Sequence, residues 1–263
     1  KPPVPEADVK MTIWEHLDEL RRRLVRSAIA VFITTCVAWA YKEQILKFLL
    51  RPYIAAWHTR HLPGAPELQG LAPGDIFMGF LELSLVTGVI ASVPIIFYQL
   101  WAFVSPGLYQ REKKFVIPFV TFSTTLFMSG VAFAYYVAFP FTFNYFFSLL
   151  GPVADSGAVI TQRSTLEFYL DFATRMLLAF GIVFELPLFI SFLSIAGIVT
   201  PKQLLRFGRW AVLLAFIVGA IATPGPEITS QIAVSGALVV LYFLSVAIAF
   251  LLARKKREAA AKE

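Results

Sequence analysis

The chain has 263 residues, 58% of them apolar and 15% charged, and a mean hydropathy of +0.71, which lies outside the range of soluble domains. Its net charge of +6 does not point to nucleic acid, because the basic residues gather at the ends of apolar runs instead of on one face. A single cysteine, Cys36, excludes an internal disulfide, and three scattered histidines, His16, His58 and His61, make no ligand set, so neither a metal nor a cofactor is expected.

Residues 1–11 are polar and Pro-rich and read as a disordered tail with no cleavable signal. Thr12 followed by Glu15 makes a capping box, and Ile13, Leu17, Leu20 and Leu24 share one helical face. This predicts an amphipathic surface helix over 12–26 that runs on into a first span at 27–41, with flanking arginines snorkelling. Residues 42–80 are a Pro-rich exposed segment with an apolar patch before Pro52, and the second span is 83–103. Ser105-Pro106-Gly107 then stops the helix, since proline lacks a donor and glycine tolerates positive φ. Trp101 and Tyr109 bracket this turn as interfacial aromatics, and Glu112 is the lone acid among Arg111, Lys113 and Lys114.

The third span is 115–139, and Pro140 with the aromatic run Phe141 to Phe147 reads as an interfacial cap rather than a continuation of the helix. After a polar loop, the fourth span, 168–195, carries Arg175 and Glu185 inside it. The apolar part of the fifth span, 210–222, has 13 residues. At about 1.5 Å per residue it covers some 20 Å against a hydrocarbon thickness of about 30 Å, so a short fifth span and local bilayer thinning are expected. A tilt or buried flanks would also explain the length. A tight turn from Thr223 to Glu227 leads to the sixth span, 232–253, and no repeat or second domain interrupts this single polytopic membrane domain.

With six spans, the N-terminal segment before the first span, the 104–114 turn, the 196–209 turn and the C-terminal segment share one side and hold 17 of the 23 basic residues, against five in the opposite loops. Both termini are therefore expected in the cytoplasm. Glu185 is placed near mid-membrane, where an ionised carboxylate facing lipid costs several kcal/mol, so it should face a cavity or a partner, or be protonated. A hydrogen bond to another span would satisfy it equally. Arg175, about 15 Å away along the helix, cannot reach it and should snorkel outward.

Four motifs occur in order along nearly the whole chain: EHLDELRRRL from Glu15, YQLWAFVSPGLYQRE from Tyr98, AFGIVFELP from Ala179 and TPGPEITSQ from Thr223. Together they resemble the TatC family, the largest membrane component of the twin-arginine protein translocase. The resemblance implies an all-α membrane protein with six spans in a cup-like arrangement, in the inner membrane of a prokaryote, and no enzymatic activity. It further implies a receptor for twin-arginine signal peptides of folded cargo, forming a homo-oligomer and assembling with single-span TatA/TatB-type partners for export driven by the proton-motive force.

By the same resemblance, Glu19 and Glu112, with Phe103 and Tyr109, take the signal peptide, while Glu185, Gln231, Glu227 and Pro52 belong to partner contact and transport. Physically, two guanidinium groups call for carboxylates that make charge-assisted, often bidentate hydrogen bonds. Plain alternatives stand beside each role: Glu19 can pair with Arg23 and Asp18 with Arg22 at i,i+4, Glu112 can balance its basic neighbours, and Pro52 and Phe103 can be ordinary turn and interface residues. Glu227 stands where many relatives carry Asp. The sixth span lacks the Pro and acid that relatives place near Gly236 and Phe243.

The chief rival is an ion-coupled secondary transporter using Glu185 and Arg175, although neither repeats nor broken midplane helices are expected from the sequence. An intramembrane enzyme would need a nucleophile or metal set within the spans, and none is found.

Overall fold

The computed structural model describes residues 13–104, 116–152, 159–161, 164–195, 198–222 and 228–260. The expected tail 1–11, Thr12 of the capping box, and the turns holding Tyr109, Glu112 and Glu227 lie outside the described residues. Ten helices are described: α1 Ile13–Ala40, α2 Lys42–Leu49, α3 Arg51–Thr59, α4 Pro73–Val104, α5 Val116–Phe133, α6 Phe139–Ser148, α7 Leu166–Val183, α8 Leu186–Ile195, α9 Pro201–Ala222 and α10 Ile228–Ala260. They provide six stretches long and apolar enough to cross a membrane: Trp14–Ala40, Gly74–Phe103, Ile117–Ser148, Leu166–Ser194, Pro201–Ala220 and Val234–Leu251. The chain is an all-α membrane protein.

Small hydroxyl side chains are buried at the helix contacts while many large apolar ones face outward. Ser84, Ser92, Ser123, Thr174, Ser235 and Ser245 are buried, while Phe32, Phe122, Ile182 and Val240 are among the large apolar side chains left exposed. Lipid is as apolar as leucine, so helices here gain from close approach and hydrogen bonds more than from hiding carbon. Close approach is bought by small residues at the crossings. A Cβ on Gly88 of α4 would lie 2.3 Å from the Thr35 hydroxyl of α1, and one on Gly130 of α5 would lie 2.4 Å from the Phe180 carbonyl of α7. Thr34 reinforces the first crossing, its hydroxyl 2.7 Å from the Gly88 carbonyl. Packing runs from α1 to α4, from α4 to α5 and α7, and from α8 and α9 to α10.

Several elements differ from the sequence expectation. One does not: the amphipathic stretch runs on into the first span, as expected, in one uninterrupted helix, α1. The second span begins ten residues before Leu83, because Pro73 opens α4 and the Asp75 carboxylate accepts the Leu71 and Ala72 amides at 3.1 and 2.7 Å. The third span does not stop at Phe139. Pro140, which has no donor to give, is accommodated by a π-turn over Ala134–Ala138, and the helix continues through α6.

The aromatic run is therefore not a surface cap. Phe143 and Phe147 are buried against Tyr53 and Trp57 of α3 and Tyr169 of α7, with ring centroids 5.2–6.4 Å apart. The last carbonyls of α2 are satisfied from the spans below: the Tyr135 hydroxyl donates to Phe48 at 2.8 Å and Tyr169 to Leu49 at 2.6 Å. Burial pushes the Tyr53 hydroxyl up from its ordinary pKa, an effect opposed by its hydrogen bond to Ser164. Two-residue strands, Leu68–Gln69 and Ser164–Thr165, pair in parallel and tie the segment after α3 to the start of α7.

The fifth span is likewise longer than expected. Its 13-residue apolar stretch is the second part of α9, which has 22 residues and so measures about 33 Å. Helix length alone thus gives no reason for the bilayer to thin beside it.

Candidate functional site

The start of α1 and the end of α4 meet at one end of the molecule. The His16 and Phe103 rings stack there, with centroids 4.4 Å apart and planes at 22°. Glu19 lies one turn further along α1, on the same side as His16 by the i,i+3 rule. Arg23 binds it from the next turn: Nε donates to Glu19 Oε1 at 3.0 Å and Nη2 donates to the same oxygen. The other oxygen, Oε2, is buried and has no hydrogen-bond partner among the described residues. The expected pair with Arg23 is thus present, yet it uses only half of the carboxylate. Asp18 and Arg22, at the same spacing, do not pair; with Arg21, Val25 and Arg26 they line an open groove of about 320 Å³ on the same stretch of α1.

Two residues before Phe103, Trp101 points a second way. Its indole N–H donates to the Ser123 hydroxyl of α5 at 3.0 Å, and its ring lies 4.7 Å from Phe119 and 5.2 Å from Phe192 of α8. Ser123 and the Phe127 backbone in turn face the Glu185 carboxyl, whose Oε1 is buried without a partner. An indole, a hydroxyl and a carboxyl therefore join three of the spans.

Glu185 does not sit in a continuous helix. The expected fourth span is two helices, α7 and α8, broken at Phe184 and Glu185 because Pro187 cannot donate to the turn before it. The Glu185 amide reaches back only three residues, to the Ile182 carbonyl at 3.1 Å. The position is about 28 Å along from Leu166 and about 15 Å from Ile195, nearer the Phe103 end than mid-span. A broken membrane helix is present after all, and its ELP signature is the signal that the apolar run concealed.

Two further polar contacts lie inside the spans and were missed from the sequence. The Thr174 hydroxyl of α7 is 2.6 Å from Glu82 Oε1 of α4. Arg175 pairs with Asp171 at 2.6 Å, one turn toward the start of α7, and so does not reach Glu185. Both acids were legible, Asp171 by its i,i+4 spacing to Arg175 and Glu82 by the helix start at Pro73.

The remaining candidates are dispersed. Pro52 is buried in the first turn of α3, where its missing N–H costs no hydrogen bond. Gln231 donates from Nε2 to the Phe216 carbonyl at 3.1 Å, linking α10 to α9. Thus α4 brings Glu19 with Phe103 and, through Trp101, Glu185 to neighbouring places, while Pro52 and Gln231 lie elsewhere.

Comparison with known proteins supports this reading of the helices. The family model "Sec-independent protein translocase protein (TatC)" matches residues 15–237. A Sec-independent protein translocase protein TatC from Desulforapulum autotrophicum is 40% identical over 94% of this chain and 87% of its own length. One of the same name from Koribacter versatilis is 34% identical over 97% and 92%. The crystal structure of a twin-arginine translocase receptor, TatC, superposes with a TM-score of 0.77 at 32% identity, covering 90% of this chain and 99% of that one. With residues 15–237 matched by the family model and most of its length matched by relatives, the chain belongs to the TatC family of Sec-independent protein translocase proteins.

Proposed function

We propose that the chain is the receptor and core scaffold of a twin-arginine translocation system, binding twin-arginine signal peptides of folded cargo at the α1–α4 end. The observation that carries this reading is the half-used Glu19 carboxylate. Arg23 holds Oε1 and fixes the orientation of the group, leaving Oε2 to accept from an incoming guanidinium. The His16–Phe103 stack beside it offers an aromatic face on which the same cation can rest. Glu112 supplies the second carboxylate from the segment after α4, with Tyr109 three residues before it in sequence. Both termini lie in the cytoplasm and the chain resides in a prokaryotic inner membrane, in keeping with 17 of 23 basic residues on one side.

The protein acts without covalent chemistry. Glu185, Gln231 and Glu227 engage single-span TatA/TatB-type partners, Pro52 sets the cap at the far end, and the receptor works as a homo-oligomer. The break at Glu185 favours one other reading, an ion-coupled transporter, since discontinuous helices hold such sites.

Binding of a twin-arginine peptide and a twin-lysine control to the purified protein separates the two. The receptor reading expects a marked preference for arginine, and Glu19→Gln should weaken that peptide roughly 10–100-fold, as loss of one charge-assisted bond implies. Equal binding of both peptides, or an unchanged affinity in the variant, would overturn it.

A further inference from the structure

At the opposite end from Phe103, a groove of about 290 Å³ opens between α2, α4, the third span and α7. Its walls are mostly carbon, with Leu83, Val86 and Ile90 of α4 and Val131, Ala132 and Leu177 of the neighbouring spans, beside the side chains of Thr87 and Thr174. It follows α4 from Leu83 to Ile90, a length of about 10 Å parallel to the spans. Its rim is different. Phe48, at the end of α2, stacks on Tyr135 with centroids 4.3 Å apart and planes at 6°, and the Arg51 guanidinium lies over the Phe48 ring at 5.6 Å. Tyr136 stands exposed beside them.

Arg51 and Lys47, one helical turn apart, are both exposed, and among the described residues neither makes an ion pair. An exposed acid, Glu43, lies a turn before Lys47 and does not pair with it either. A guanidinium over an aromatic stack thus crowns a mostly apolar slot that runs down into the span region. This departs from the positive-inside pattern, because Arg51 and Lys47 lie on the side that carries few basic residues.

We propose that this groove holds one anionic phospholipid, its phosphate on Arg51 and one acyl chain lying between α4 and the third span. Charge at the rim and hydrocarbon below match the two halves of such a molecule in the leaflet at the α2–α3 end. A soluble anion matches only the rim, and a polypeptide helix is too wide for a slot of this volume. The bound lipid completes the packing of α2 against the spans, where the Tyr135 hydroxyl already pins the Phe48 carbonyl. This inference does not depend on the receptor reading.

The test is native mass spectrometry of the full chain released from detergent, supplied with phosphatidylglycerol, phosphatidylethanolamine or inorganic phosphate. The expected result is one phosphatidylglycerol retained per chain, roughly fivefold over phosphatidylethanolamine for the one cation engaged, and not displaced by phosphate. Arg51→Gln should remove about fivefold of that preference while Arg51→Lys keeps it, and Ala132→Phe or, from the facing wall, Val86→Phe should abolish retention of either lipid. Circular dichroism identifies any variant that has lost its helices, and the paired variants then supply the answer. Equal retention of the two lipids, an Arg51→Gln ratio like the parent's, lipid held despite a filled groove, or a second copy of the chain as the retained mass would each overturn the proposal.

Discussion

The two ends of the molecule are built on opposite principles. At the α3–α6 end, Tyr53, Phe143, Phe147 and Tyr169 form a buried aromatic cluster, and the tyrosine hydroxyls of Tyr135 and Tyr169 close off the last carbonyls of α2. Where α1 meets α4, the contact is a ring stack beside an ion pair, and a buried carboxylate oxygen has no partner among the described residues. Satisfied polar groups in a packed environment hold one arrangement, whereas an unsatisfied buried acceptor is costly unless something arrives to use it. On the proposed reading, the first end serves packing and the second binding. Glu185 repeats the second pattern within the spans, at a helix break that leaves Oε1 unused.

This contrast can be broken by experiment. The largest effect is expected at Glu185: Glu185→Ala should block export of a folded twin-arginine cargo in cells lacking their own TatC, while insertion and signal-peptide binding persist. Export at the parent's rate would remove Glu185 from transport. Next, Phe147→Ala should cost about 3–5 kcal/mol in unfolding of the detergent-solubilised protein, as for other fully buried phenylalanines. Peptide affinity per folded molecule should not move, and a matching loss of affinity would show that the two ends are not independent. Smaller still, Trp101→Phe keeps the ring contacts but deletes the hydrogen bond to Ser123. It should cost about 0.5–1.5 kcal/mol in the same unfolding measurement and leave peptide binding intact.

Much of this architecture is legible in the sequence, for a physical reason: a bilayer demands long apolar runs, and six of them are hard to hide. What escapes is whatever acts against that signal. Ending a span at the first charge placed the second span after Glu82, so the Glu82–Thr174 contact went unseen although Pro73 and Asp75 mark the true helix start. The apolar stretch around Glu185 masked a break that Pro187 announces. Phe141 to Phe147 have the composition of an interfacial belt, and only their packing on α3 makes them core. At the receptor end the pairing of Glu19 with Arg23 follows from i,i+4 spacing, but that Arg23 engages one oxygen and leaves the other free does not, because rotamers of two long side chains are set by their surroundings.

The most direct test of the receptor account is a double-mutant cycle between Glu19→Gln in the protein and arginine→glutamine in the signal peptide, read as binding free energy. If Glu19 meets a peptide arginine, the two changes should be non-additive, with a coupling of about 1.5–3 kcal/mol for one of the two arginines. Strict additivity for both arginines would mean that the open end of α1 and α4 is not where the twin-arginine tag is read.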